Sequence, residues 1–202
     1  EGLLVPGSVQ WTTAGRGLVH SEMPEQQEGR MRGFQLWVNL PAALKMSEPQ
    51  YQEFAPERVP VAHPAEGVMV KVIAGEVVDA SGAAVRGPIM QPATDPLYLD
   101  IELGADMAWT LALPMGHNAF VYVYEGGISV GPGEGARPVE KQELGVLGSG
   151  DKLSLRASSN GARLILVAGR PLREPVARHG PFVMNTREEL MQAFVDFKAG
   201  RF

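Results

Sequence analysis

The chain of 202 residues carries a net charge of −5 and contains 24 Gly, 16 Pro and no Cys. An acidic chain is a poor candidate for direct binding to nucleic acids or anionic membranes, since both need a basic surface, and no run approaches the roughly 20 apolar residues of a membrane-spanning helix. The absence of cysteine excludes disulfides, thiolate nucleophiles and Cys-based zinc sites, and it fits a cytoplasmic protein. Glu1 falls within a predicted turn, which suggests that the native N-terminus lies upstream.

The first part of the chain alternates short apolar runs with Gly and Pro, a pattern typical of β-strands joined by tight turns. A turn at Pro6 and Gly7 is expected between the first two strands. Residues 41–60 are polar and contain proline, so we expect them to connect two units. The predicted strands of this part are 2–5, 8–11, 18–22 and 33–40.

The part that begins near Val61 shows longer β-prone runs, and residues 97–103 alternate apolar and polar side chains. Short strands at this spacing, each closed by Gly or Pro, predict an all-β sandwich or barrel. The predicted strands are 68–75, 97–103, 119–127, 153–156 and 163–168. The ranges 68–75 and 119–127 include the turns that close these two strands.

The C-terminal residues change to a helical period. Thr186 and Glu189 have the spacing of a capping box, in which each side chain satisfies a free backbone N–H of the other. One apolar stripe follows at helical spacing, and Gly200 is expected to end the helix. The stripe consists of Leu190, Ala193, Phe194 and Phe197.

His20 and Glu22 are the residues most suited to carry chemistry. They lie two positions apart on the predicted strand 18–22, so their side chains are expected on the same face. An imidazole and a carboxylate together make half of a mixed nitrogen and oxygen site for Fe(II), Mn(II), Ni(II) or Zn(II). The same pair also fits an exposed polar strand end, and the short spacing alone does not separate the two interpretations.

Several blocks of the chain resemble the pirin family. The run from Pro6 to Pro24, followed by Gly33 to Pro41, is similar to the signature block of the family. Residues Tyr98 to Asp100 and Pro114 to Tyr122 resemble motifs of the family's second domain. Residues His179 to Thr186 resemble the family's C-terminal motif. The blocks occur in the family's order along the whole chain.

The resemblance implies a fold of two tandem cupin (jelly-roll-like) β-barrels followed by a short C-terminal α-helix. Residues 1–48 would be the remainder of an N-terminal metal-binding cupin, incomplete in this chain, and residues 49–60 a connector. Residues 61–178 would form a C-terminal cupin without metal, and residues 179–202 the C-terminal motif and helix.

In the family, the first cupin holds one metal ion on histidines and a glutamate. The last two ligands match His20 and Glu22, whereas the earlier His-x-His pair of the family has no counterpart in this sequence. The implied metal is Fe(II), with Mn, Ni, Zn and Cu as alternatives, and the incomplete ligand set puts its occupancy in this chain in doubt. Glu22 would also be the candidate catalytic base.

The second cupin lacks the residues of a metal site. Its matching segment reads His117, Asn118, Ala119, and residues 149–156 contain no histidine, so we expect no metal there and a structural or polar role for His117. His63 is expected to be solvated. His179 is expected to pack or to form hydrogen bonds.

Arg16 and Phe34 are candidate pocket residues near the predicted metal site. Arg16 lies between two glycines, where it could orient an anionic ligand or stabilise the turn, and the sequence does not separate these roles. Phe34, like Trp11 and Trp37, alternates with polar residues on a predicted strand, which favours a place in the core over a stacking platform for a substrate.

Two functions are consistent with the resemblance. Some bacterial members resemble quercetin 2,3-dioxygenases, so the chain could belong to a metal-dependent dioxygenase acting on flavonols. Activity would need the missing His-x-His ligands. The alternative is a non-enzymatic regulatory protein whose metal modulates its interaction with a transcription factor or a metabolic enzyme. Either protein is expected to be a cytoplasmic monomer.

Overall fold

The computed structural model of the protein describes residues 2–25 and 27–202, and it is built mainly of β-strands. Short 3-10 turns occur at 42–44, 56–58 and 133–135. In chain order, the strands are β1 (Val9–Thr13), β2 (Gln50–Phe54), β3 (Val61–Ala65), β4 (Val68–Ala74), β5 (Glu76–Val78), β6 (Ala84–Arg86), β7 (Leu97–Leu103), β8 (Ala108–Ala112), β9 (Asn118–Val130), β10 (Arg137–Glu140), β11 (Leu144–Val146), β12 (Lys152–Gly169), β13 (Ala177–His179) and β14 (Phe182–Met184).

The chain divides into two compact units. The first comprises Glu1–Trp11 and Glu53–Pro171, and the second comprises Thr12–Gln52 and Leu172–Phe202. The domain limits expected from the family resemblance remain a prediction.

The first unit contains an eight-stranded antiparallel sheet in the order β10-β9-β12-β7-β4-β3. Strand β11 also pairs with β9, and β8 pairs with the first half of β12. The two long strands β9 and β12 run side by side with register shifts, which bend the sheet around the larger hydrophobic cluster of this unit.

The core of this unit consists of the inward side chains of the alternating strands. Strand β7 shows the pattern best, because its odd-numbered residues are buried and its even-numbered residues are partly exposed. Each fully buried Leu, Ile or Val contributes about 1.5–3 kcal/mol of hydrophobic stabilisation. The largest fully buried side chains are Leu99, Ile101, Leu103, Leu164, Leu166, Val70, Val72, Val121 and Val123.

The second unit carries the single α-helix of the described residues, α1 (Arg187–Lys198). The predicted capping box is confirmed: the Glu189 N–H donates to Oγ1 of Thr186 at 3.2 Å, and the Thr186 N–H donates to Oε2 of Glu189 at 2.9 Å. Leu190 is buried, and Phe194 packs edge-on against Phe182 with ring centroids 4.9 Å apart. Phe197, at the other end of the predicted stripe, stays half-exposed.

Several predicted strands are confirmed and others are wrong. The predictions for 8–11, 68–75, 97–103 and 119–127 correspond to β1, β4, β7 and β9. Residues 2–5, 18–22 and 33–40 form no strand. Residues 153–156 and 163–168 belong to one long strand, β12, and the predicted connector contains β2.

No helix in the described part of the chain has both the length and the apolar character to cross a bilayer.

Candidate metal centre

His20 and Glu22 lie in an irregular segment after β1, so the strand geometry expected for them is wrong. Their side chains nevertheless approach each other. Nε2 of His20 lies 3.8 Å from Oε1 of Glu22, and the two side chains are 57% and 56% exposed. Two donors at this separation can both reach one cation, because metal–ligand bonds to imidazole and carboxylate are about 2.0–2.2 Å long.

The chemistry of this pair fits a transition-metal ion, since imidazole and carboxylate together suit Fe, Mn, Ni and Zn. The pair fills only part of a coordination sphere. Among residues 2–25 and 27–202, no cluster of three or more His, Asp or Glu side chains is placed to hold a metal ion. The described residues therefore supply two ligands, and a complete site needs further donors.

Arg16, one of the two candidate pocket residues, lies in the turn that precedes His20. Its backbone N–H donates to the carbonyl oxygen of Ser47 at 2.9 Å, and its guanidinium forms an ion pair with Glu48. Phe34 is exposed in an irregular segment, and Trp37 is 66% exposed, so the place in the core expected for both is wrong. The pocket role of Arg16 and Phe34 remains a prediction.

Lys45 is a buried cation that the sequence did not single out. Lys45 is only 6% exposed. Its Nζ atom donates to Oδ1 of Asn39 at 2.7 Å and to the carbonyl oxygen of Val183 at 3.1 Å. Burial lowers the pKa of Lys45, and the nearby carboxylates of Glu174 and Glu189 oppose this shift. The lysine thus links the segment after the candidate site to β14.

A second set of contacts joins the same two segments. The N–H of Ala42 donates to Oε2 of Glu174 at 2.7 Å, and this carboxylate also accepts from the side-chain amide of Asn185 at 3.1 Å. The backbone N–H of Asn185 donates to Oε2 of Glu189, which with Thr186 forms the capping box of α1. Ala42 and Lys45 therefore hold their segment against the C-terminal segment through charged and polar groups.

His117 lies immediately before β9, far along the chain from the candidate metal site. Its side chain is 6% exposed, and Nε2 lies 3.5 Å from Oδ2 of Asp95, which also lies 3.5 Å from Nη2 of Arg170. Nδ1 of His117 is buried, and no hydrogen-bond partner for it is found among the described residues. Burial lowers the pKa of His117, with Asp95 raising it and Arg170 lowering it further.

The two remaining histidines are exposed. His63 lies on β3, a strand that the sequence analysis did not predict, and borders an open cleft of about 500 Å³. His179 ends β13 and contacts the ring of Phe194, with centroids 5.5 Å apart, in agreement with the packing role expected for it.

Comparison with known proteins assigns the chain to a family. The model described as the pirin C-terminal cupin domain matches residues 98–202, more than half of the chain, and the model described as pirin matches residues 1–38. The chain belongs to the pirin family. The predicted all-β cupin class with one C-terminal helix is thereby confirmed, and His20 and Glu22 fall within the segment matched by the pirin model.

Individual relatives agree with this membership. A pirin-like protein of Caulobacter vibrioides is 51% identical over all of this chain and 70% of its own length. A Pseudomonas aeruginosa protein provisionally named quercetin 2,3-dioxygenase is 49% identical over 99% of this chain and 69% of its own. The solved structure of a quercetin 2,3-dioxygenase from Acinetobacter baumannii superposes with a TM-score of 0.79 and 29% identity, covering 97% of this chain and 67% of that one.

Proposed function

We propose that this pirin-family protein binds one transition-metal ion, Fe(II) in the first instance, with His20 and Glu22 as two of its ligands, and that it opens flavonols with O₂. The observation that carries the proposal is the paired approach of these two side chains within the segment matched by the pirin model. The similarity to a quercetin 2,3-dioxygenase of known structure supports the substrate class.

The two residues have different roles in this proposal. His20 supplies a neutral imidazole nitrogen as a ligand. Glu22 supplies a carboxylate that both binds the metal and accepts the proton of a flavonol hydroxyl group, as a general base must do from hydrogen-bonding distance. The metal, when bound, supplies Lewis acidity that favours the deprotonated flavonol. The exposure of both side chains leaves room for a substrate beside them.

The test is oxygen consumption by protein that includes the His-x-His pair of the family and is loaded with Fe(II), measured with an oxygen electrode when quercetin is added. We expect uptake by the wild-type protein and a large loss in the variants His20→Ala and Glu22→Gln. His63→Ala is the matched control, because it removes an exposed histidine that lies outside the candidate site.

Iron-loaded protein that takes up no oxygen with quercetin would contradict the enzymatic part of the proposal. Such a result would favour the alternative function, a regulatory protein in which the metal alters binding to a partner. Oxygen uptake that is equal in wild type, His20→Ala and Glu22→Gln would instead contradict the assignment of the two residues.

A further inference from the structure

The turn that precedes His20 contains two glycines, each packed against a different part of the second unit. Gly15 has a φ of +52°, and a Cβ atom there would collide with the carbonyl oxygen of Ser47. Gly17 has a φ of +141°, and its Cβ would lie 2.5 Å from Cδ1 of Phe202. Residues other than glycine rarely adopt these backbone angles, and the two contacts leave no space for a side chain at either position.

The contact on the Ser47 side is held by several bonds. The N–H of Arg16 donates to Ser47, and the guanidinium of Arg16 pairs with Glu48. Two residues before Ser47, the buried Lys45 is bonded to the carbonyl oxygen of Val183. Hydrogen bonds and an ion pair therefore hold this side of the turn against residues 45–48 of the same unit.

The contact on the other side is an aromatic ring held in a cluster. The ring of Phe202 lies 5.9 Å from that of Phe182 and 5.6 Å from that of Phe197, between centroids. The preceding residue, Arg201, forms an ion pair with Asp196 of α1 at 2.6 Å. The ring is thus fixed to β14 and α1.

His20 follows Gly17 by three residues, so the two residues are at most about 11 Å apart along the backbone. A displacement of the turn therefore shifts His20 as well. We propose that the turn 14–17, held between Ser47 and Phe202, positions His20 and Glu22 for metal binding. The inference rests on the proposed metal-binding function. Gly17 and Phe202 are positioning residues, because they act on the ligands through the backbone and do not themselves offer a donor atom to the metal.

The experiment is a Mn²⁺ titration of the full chain, followed by paramagnetic broadening of the histidine ring resonances in NMR spectra. The chain has four histidines, so the ring signals can be assigned with His→Ala variants. In the wild-type protein, the His20 resonances are expected to broaden at lower Mn²⁺ concentration than those of the exposed His63. The apparent Kd for Mn²⁺ then follows from the His20 signal.

We expect Gly17→Ala to raise this Kd about tenfold, the range seen when groups that orient metal ligands are lost. Gly82→Ala is the matched control: Gly82 also has a positive φ, +83°, but a Cβ there meets nothing within 4 Å. Gly82→Ala also places a side chain at a positive φ, but away from the turn 14–17, and it should leave the Kd unchanged. An unchanged Kd in Gly17→Ala would overturn the inference.

Phe202 supplies a second test that does not depend on how Gly17→Ala folds. Phe202→Ala should raise the Kd, and Phe202→Leu should restore most of the wild-type affinity, because it refills the space beside Gly17. Thermal unfolding of each variant separates lost stability from lost affinity. Equal Kd values for Phe202→Ala and wild type would contradict the positioning role.

The outcomes distinguish this inference from the proposed function. If Mn²⁺ broadens His63 as readily as His20, or if Glu22→Gln leaves the Kd unchanged, the metal site itself is wrongly assigned. If Glu22→Gln abolishes selective broadening while Gly17→Ala and Phe202→Ala bind Mn²⁺ as the wild type does, the site is correct and the positioning role is wrong.

Discussion

Nε2 of His117 lies 3.5 Å from Oδ2 of Asp95, at the end of the first unit where β7 and β9 begin. The imidazole is almost fully buried, whereas the carboxylate is more than half exposed and is shared with Arg170. Burial lowers the pKa of His117, since the cationic form loses hydration, and Asp95 offsets only part of this shift.

This geometry predicts a pH-dependent stability. Because the pKa of His117 is lower in the folded than in the unfolded chain, the unfolded chain binds more protons below the ordinary histidine pKa of about 6.5. The free energy of unfolding should therefore fall as the pH decreases below this value. Urea unfolding of wild type and His117→Gln between pH 7.5 and pH 5.5 measures the effect, and the variant should show the smaller pH dependence.

Titration of the His117 ring by NMR gives an independent check with Asp95→Asn. Asp95 raises the pKa of His117, so its neutralisation should lower the midpoint further below that of wild type. A midpoint at or above the ordinary histidine value in the wild-type protein would contradict the dominance of burial.

Replacement of Lys45 by Ala is expected to destabilise the protein by about 2–3 kcal/mol, since two hydrogen bonds from a charged donor are lost and Asn39 and Val183 are left without it. Lys152→Ala is the control, because Lys152 is exposed at the start of β12. It should change the free energy of unfolding by less than about 0.5 kcal/mol. Equal effects of the two substitutions in chemical denaturation would contradict the structural role of Lys45.

Thr186→Ala removes the side-chain cap of α1 and is expected to cost about 1 kcal/mol of stability. Thr186→Ser keeps a hydroxyl in place and should retain most of the wild-type stability. Circular dichroism melting of the two variants tests this difference. If serine and alanine are equally destabilising, the hydrogen bond from the Glu189 N–H to the Thr186 hydroxyl does not stabilise the helix.

The sequence predicted those elements whose pattern is local. Strand β7 alternates buried and exposed residues over its whole length, and the capping box lies within four residues, so both were found with their correct positions. The i, i+2 spacing singled out His20 and Glu22, and the family resemblance matched them to metal ligands; the structure brings the two side chains together although the predicted strand does not form.

The errors arise where structure depends on distant partners. Residues 33–40 alternate as a strand would, but a strand also needs a neighbour for its backbone hydrogen bonds, and none pairs with this segment in the described part of the chain. Residues 157–162 lie between two predicted strands, yet they continue β12 through a register shift. The burial of Lys45 depends on Val183, 138 residues further along, which no local pattern reveals.

The proposed function depends on the binding of a metal ion by His20 and Glu22. The most direct measurement is the iron content, by mass spectrometry of the metal, of wild type and of a double variant with His20→Ala and Glu22→Gln after identical Fe(II) loading and desalting. Iron should be retained by the wild type and lost from the double variant. Equal iron contents in the two proteins would contradict it.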